Sequence, residues 1–202
     1  NGQVVGSCFF HPRDTHCSLG IMNSDPSLAG KGVAKLLLDH LIELSQEREQ
    51  SLRLFSSAMN LDSFSLYNRR GFRPYAVFQD MFLEVPAEGL GVEIDSRVRP
   101  ATLDDVPRID ALEKEVWQTC RAKDWRYFVE NQRDIWHTFV YEDAEESILG
   151  VLASVQHPGS NLIGPGVMKS DAKVAKALIL AQLDANRGRT PVFLIPSDEP
   201  VS

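Results

Sequence analysis

Two stretches of this chain are versions of one unit, and that internal repeat restricts the fold more than any other feature. Gly30-Lys31-Gly32-Val33-Ala34-Lys35-Leu36-Leu37-Leu38 lies beside Asp171-Ala172-Lys173-Val174-Ala175-Lys176-Ala177-Leu178-Ile179. Upstream, an apolar run that begins near Gly6 ends at His11-Pro12, and one that begins near Gly150 ends at His157-Pro158. Each copy reads strand, strand, helix, strand. Only the first keeps glycines at its helix start.

The local signals fill in the rest. Gln3 to Phe10 and Thr15 to Asn23 read as strands, each stopped by a turn-forming cluster. Val33, Leu36, Leu37, His40, Leu41 and Leu44 share one helical face, so a helix is expected to about Glu49. Leu52 to Met59 is the next expected strand. Asp62 or Ser63 caps a short helix to Arg70, with Gly71 as its C′ residue, and Pro74 to Val85 reads as a long strand. The Pro/Gly-rich segment Pro86 to Gly91 is the expected boundary, giving units 1–86 and 92–202. The second unit opens with a strand, Val92 to Arg99, and a helix capped by Thr102 with Asp104 and Asp105 in its first turn. Helices over 121–131 and 171–186 and strands over 136–142, 148–156, 162–168 and 192–195 follow. The expected fold class is α/β: mixed central sheets with helices on both faces, in two related units.

Composition narrows the function classes. The 202 residues carry 21 basic and 28 acidic side chains, a net charge of -7. That disfavours nucleic-acid binding, which leaves a basic footprint, and a polybasic membrane surface. No run of 18 apolar residues is present, so no membrane-spanning helix is expected. Three cysteines without a CxxC point to a reducing, cytoplasmic compartment. The five histidines show no metal-ligand spacing, so no metal is expected. Trp117, Trp125 and Trp136 with Tyr127 and Phe128 read as packing residues. The acidic run Glu142 to Glu146 reads as a solvated turn, or as a lure for a cationic amine.

Chemistry concentrates in the first unit. Ala29-Gly30-Lys31-Gly32-Val33-Ala34 opens a helix, where backbone N–H groups lack intrahelical partners and the dipole favours an anion. The competing structural reading is a tight turn that needs glycine. The segment fits neither the Walker loop nor the GxGxxG dinucleotide pattern. Further on stands Asn60-Leu61-Asp62-Ser63-Phe64-Ser65-Leu66-Tyr67-Asn68-Arg69-Arg70-Gly71-Phe72. These two motifs, in this order and separated by one helix and one strand, resemble the GNAT superfamily of acetyl-CoA-dependent N-acetyltransferases. That family has a Q/R-x-x-G-x-G/A loop and then an N-x-x-A-x-x-L-Y-x-x-x-G-F helix. The likeness covers about residues 3 to 85.

The resemblance implies a function and a site. Ala29, Gly30, Lys31, Gly32, Val33 and Ala34 would hold the pyrophosphate of acetyl-CoA through their backbone. Asn60 would stand near the pantetheine arm, and Tyr67 would protonate the leaving thiolate. The acceptor would be a small-molecule or protein amine. Read as residues alone, Asn60 has the competing role of a turn residue or helix cap, Tyr67 that of a core aromatic with its hydroxyl on the rim, and Phe72 is a core residue in either reading. The chain departs from the family at Ala29, where Gln or Arg is usual, at Ser63, where Ala is usual, and at Asp25, where an apolar residue is usual. Asp80, Glu84, His11 and His16 carry no signal that selects a general base. Residues 92 to 197 resemble the first two-thirds of a second such domain, degenerate at Asp171-Ala172-Lys173. The whole therefore reads as a piece of a tandem acetyltransferase, cut at both ends. Its open sheet edges would be completed by strands from both copies or by a homodimer. A non-catalytic acyl-CoA-binding or regulatory module, or a purely structural fragment, are the competing classes.

Overall fold

A computed structural model describes residues 2–197. By contacts the chain divides into two compact units, Asn1–Tyr75 and Ala76–Ser202.

In the first unit, β1 (Gly6–Pro12) and β2 (His16–Ser24) form an antiparallel hairpin. Helix α1 (Val33–Glu47) follows a 3-10 turn at Pro26–Leu28. Strand β3 (Ser51–Arg53) then pairs with β2 in parallel, His16 opposite Ser51, so the sheet order is β1-β2-β3. Helix α2 (Leu61–Arg69) closes the unit. Leu19, Leu38 and Leu41 form the buried centre, with Phe10, Met22, Leu52, Leu66, Tyr67 and Phe72 packed on it. The strand expected over 52–59 shrinks to three residues. Beyond Arg53 the chain bonds locally: the Ser57 hydroxyl accepts from Met59 N at 3.2 Å, and Asn60 N donates to Ser57 O.

The second unit is a six-stranded sheet of order β4-β9-β8-β7-β6-β5. Its strands are β4 (Phe78–Phe82), β5 (Val98–Pro100), β6 (Trp136–Glu142), β7 (Ile148–Val155), β8 (Leu162–Met168) and β9 (Val192–Pro196). Only β8 and β9 run parallel, over two residue pairs. Helices α3 (Val106–Trp117) and α4 (Ala122–Glu130) bury Val106, Ile109, Leu112 and Trp125 with Val140, Val151, Ala153 and Val167. Helix α5 (Ala172–Ala185) sits over the other sheet face, on Tyr141, Leu152 and Ile163. The mixed sheet with helices on both faces is the fold class the sequence indicates. No helix of the described residues is long and apolar enough to cross a membrane.

The division falls ahead of the Pro86–Gly91 connector that the composition singled out. Strand β4 pairs antiparallel with β9, Phe78 opposite Pro196, and Val85 is fully buried in the second unit's core. Composition marks where a chain turns, not where its side chains are buried. Strands β4 and β5 lie at opposite edges of that sheet rather than beside each other, and the long strand expected over 74–85 is five residues.

The repeat is visible in coordinates. In the first unit Cys8 faces Met22 and Phe10 faces Leu19 across a bulge. In the second, Leu152 faces Gly166 and Ser154 faces Ile163 across a bulge of the same size. A Cβ on Gly6 would meet Val33 Cγ1 at 2.7 Å and Leu37 Cδ1 at 3.2 Å; on Gly150 it would meet Val174 Cγ1 at 2.7 Å and Leu178 Cδ1 at 2.8 Å. Both glycines let the helix lie close on the strand.

Candidate functional site

The segment before α1 is built from its own backbone outward. Asp25 accepts hydrogen bonds from the Ser27 amide at 2.8 Å and the Ser27 hydroxyl at 2.7 Å, starting the 3-10 turn. Those bonds, the hydroxyl's first, hold the Asp25 carboxyl below its usual range. Ala29 N then donates to Pro26 O, and Lys31 N to Leu28 O at 3.0 Å. Gly30 and Gly32 have φ of +75° and +85°, the left-handed region. The first intrahelical bond is Leu36 N to Gly32 O.

This arithmetic leaves five amides over, four of them within residues 29–34. Among the described residues, no acceptor meets the N–H of Gly30, Gly32, Val33, Ala34 or Lys35. A Cβ on Gly30 or Gly32 would meet nothing within 4 Å. The result is an open cradle of donors at the positive end of a fifteen-residue helix. Within the sequence-predicted set the structure separates the contributors. Gly30, Gly32, Val33 and Ala34 present free amides, whereas the amides of Ala29 and Lys31 are spent inside the turn. Lys31 is exposed and offers its ammonium instead.

Asn60 and Tyr67 sit on α2. The Asn60 side-chain oxygen caps the helix, accepting from Ser63 N at 3.2 Å, so its side-chain amide keeps its own donors for another partner. Tyr67 lies two turns on. The helix ends in a Schellman arrangement: Phe72 N donates to Tyr67 O at 3.1 Å, Gly71 N donates to Asn68 O, and Gly71 has φ +90°. Phe72 packs edge-on against the Tyr67 ring at 5.9 Å. The L-Y-x-x-x-G-F spacing is therefore a helix stop that also fixes the tyrosine. Burial raises the Tyr67 phenol above its ordinary 10, while the Ser63 hydroxyl within its reach pulls the other way. At neutral pH the phenol keeps its proton.

Sequence reasoning missed the polar tie between the two helices. Asp39 on α1 takes Arg70 Nε at 2.6 Å and Arg70 Nη2 at 3.1 Å, and also Lys35 Nζ at 3.0 Å. The available signal was Asp39 four residues after Lys35 on the polar face, with Arg70 at the end of α2.

The corresponding place in the second unit differs. Asp171 caps α5 itself, accepting from Lys173 N at 2.8 Å, and no glycine is present between Met168 and Val174. The charge and the bond that an anion would need are already supplied by the chain.

Comparison with known proteins bears on the first unit directly. Residues 1–72 match the family described as the acetyltransferase (GNAT) family. Over this segment the chain is similar to the GNAT family. The match ends at Phe72, the last residue of the second motif, and no curated protein matches the chain. Solved structures extend the likeness in fold. A candidate acetyltransferase from Pyrococcus horikoshii aligns with a TM-score of 0.72 at 14% identity, over 96% of this chain and 60% of its own. A tandem GNAT protein from the clavulanic acid biosynthesis pathway aligns at 0.57 and 16%, over 98% and 73%. Saccharomyces cerevisiae N-myristoyltransferase, solved with bound myristoyl-CoA, aligns at 0.55 and 10%, over 94% and 58%. The chain thus spans about 60% of the length of the Pyrococcus protein. At these identities the shared property is the GNAT fold.

Proposed function

We propose that the chain transfers an acetyl group from acetyl-CoA to an amine, with the cofactor substrate held by the first unit. The observation that carries this reading is the set of four unpartnered amides at Gly30, Gly32, Val33 and Ala34, within the segment that matches the GNAT family. A diphosphate suits such a cradle because each oxygen can accept from a fixed N–H without displacing an internal bond. Asn60 is the proposed partner of the pantetheine amides.

In the chemical step the amine lone pair attacks the thioester carbonyl carbon and the carbon–sulfur bond breaks. Tyr67 gives its proton to the departing sulfur, and the phenolate is restored by the proton that the new amide nitrogen loses. The products are the N-acetylated amine and free CoA. Water or a side chain outside the two motifs carries the nitrogen proton. The second unit, with Asp171 in its helix cap, binds no cofactor in this reading, so the stoichiometry is one acetyl-CoA per chain.

The test is calorimetric titration of the chain with acetyl-CoA, followed by assay of thiol release with spermidine, a lysine-containing peptide and kanamycin as amines. One site per chain, abolished in Gly32→Glu with the fold retained by circular dichroism, supports the reading. No heat at millimolar acetyl-CoA overturns it. Binding without thiol release from any amine would replace it with a non-catalytic acyl-CoA-binding module.

A further inference from the structure

Helix α2 carries Tyr67, yet little holds that helix in place. Its apolar anchors are Leu66, Tyr67 itself and, just beyond its end, Phe72, all at the edge of the Leu19–Leu38–Leu41 cluster. No residue of α2 is fully buried, and Leu61 and Phe64 face solvent. Apolar contacts of this kind fix a distance but permit sliding, because dispersion is non-directional.

A directional contact stands three residues after Tyr67. The Arg70 guanidinium meets both carboxylate oxygens of Asp39: Nη2 donates to Oδ2 at 3.1 Å, and Nε stands 2.6 Å from Oδ1 as an ion-pair contact, so orientation is held by one hydrogen bond and one charge contact. Asp39 lies about 9 Å along α1 from Val33, at 1.5 Å per residue, so it is rigidly connected to the amide cradle. Lys35 donates to the same oxygen, Oδ2, at 3.0 Å. The Asp39 side chain therefore cannot swing away from α1 without losing a second partner.

We infer that Asp39 and Arg70 are positioning residues for acyl transfer, their ion pair setting where Tyr67 stands relative to the cradle that opens α1. This rests on the proposed function, because it assigns Tyr67 a task that depends on placement. A reacting group displaced by about 1 Å can lose about a hundredfold in rate while binding is untouched. The pair therefore acts on kcat and leaves the cofactor contacts alone.

The experiment compares the full chain with Arg70→Ala, Arg70→Lys and Arg69→Ala. Arg69 is the neighbouring exposed arginine in the last turn of α2 and serves as the control. Acetyl-CoA affinity is read by calorimetry, kcat by thiol release with the best of the three amines, and helix protection by amide hydrogen exchange. Arg70→Ala should keep its affinity within about twofold, lose about ten- to a hundredfold in kcat, and exchange faster in α2 but not in α1. Arg70→Lys should recover part of the rate, because an ammonium reaches one carboxylate oxygen but not both. Arg69→Ala should match the parent.

An unchanged kcat in Arg70→Ala overturns the inference, because apolar packing alone would then place Tyr67. Joint loss of affinity, rate and α1 protection overturns it too, because the pair would then hold the unit together. Failure of the parent chain to bind acetyl-CoA would sink the proposed function, and the inference with it; a parent that binds and turns over isolates the inference.

Discussion

Replacing Gly32 by Ala separates backbone strain from ligand binding. Gly32 has φ +85° and ψ 9°, where an L residue costs about 1–2 kcal/mol. A methyl group there meets no atom within 4 Å, so no packing penalty adds to the backbone cost. Alanine also restricts the unfolded chain, which offsets part of that cost, leaving about 1 kcal/mol. For a unit of this size the melting temperature should fall by about 4–8 °C. Binding should suffer more. The methyl enters the open space over the free amides, and relaxing the strain turns those amides from their common focus. A loss of at least about tenfold in acetyl-CoA affinity is expected, about 1.4 kcal/mol. Gly71→Ala is the matched comparison, with φ +90° and an equally open Cβ direction at the far end of α2. It should cost similar stability and leave the affinity within about twofold. Thermal melts by circular dichroism and calorimetric titration read the two quantities. Equal affinities for Gly32→Ala and the parent, with the melting temperature lowered as expected, would refute the cradle.

Four further outcomes follow from the same geometry. Tyr67→Phe removes only the hydroxyl, so acetyl-CoA affinity should hold while kcat falls about 10²–10⁴-fold; because burial raises the phenol above 10, the parent's rate should fall only above that pH, and a basic limb that survives in Tyr67→Phe would assign it elsewhere. Arg99 holds Asp105 far below the carboxylate range, Arg99 and then Arg108 bring Glu142 to about 2, and Arg97 brings Asp95 to about 2. Folded values below the unfolded ones mean stability that is present above about pH 4 and is lost as pH falls through about 2, so melts of the chain should drop steeply over that window and more gently in Arg99→Gln. Glu113, almost wholly buried, bonds Arg121 at 2.5 Å and Trp125 Nε1 at 3.0 Å; breaking such a pair costs about 3–5 kcal/mol, but the Arg121 side chain is 24% exposed, so Glu113→Gln should cost about 2–3 kcal/mol in urea melts. Gly150→Ala should destabilise by about 1–3 kcal/mol through overpacking against Val174 and Leu178, with acetyl-CoA affinity unchanged.

Local chemistry was legible in the sequence wherever a short segment determines its own structure. Gly71 after Arg70 and the glycines before Val33 encode helix ends, and helix ends they are; the cap expected at Asp62 or Ser63 is instead Asn60, whose side chain accepts from Ser63 N and starts α2 at Leu61. The strands after the helices were not legible in length, because a strand extends only as far as its neighbour. Leu52 to Met59 has strand composition throughout, but β2 offers parallel partners for Ser51, Leu52 and Arg53 alone. Strand β4 shows the same limit from the other side. Nothing local in Phe78-Gln79-Asp80-Met81-Phe82 says that its partner is β9, more than a hundred residues away in sequence, and that pairing moved the boundary. The division of labour within the loop was also hidden. Whether an amide in 29–34 is free depends on the 3-10 turn that Asp25 starts, and Asp25 read as a departure from the family pattern rather than as the cap of a turn.

The repeat itself separates two kinds of glycine, and this bears on function more than either motif alone. Gly6 and Gly150 occupy equivalent places, and each is sterically required, because a Cβ would come within 2.7 Å of the helix packed above it. Packing therefore accounts for them in both copies. Gly30 and Gly32 have no such neighbour, and the second copy, which builds the same strand, bulge and helix, does without them. The fold consequently does not need them. What it does in their absence is informative: Asp171 places a carboxylate at the start of α5 and accepts from Lys173 N. One copy fills its helix N-terminus with its own anion, and the other bends its backbone at two left-handed residues to leave that place open. A chain gains no stability from the second arrangement, since glycine costs backbone entropy and the amides lose their caps. The open arrangement makes physical sense for a helix that receives its negative charge from a bound ligand.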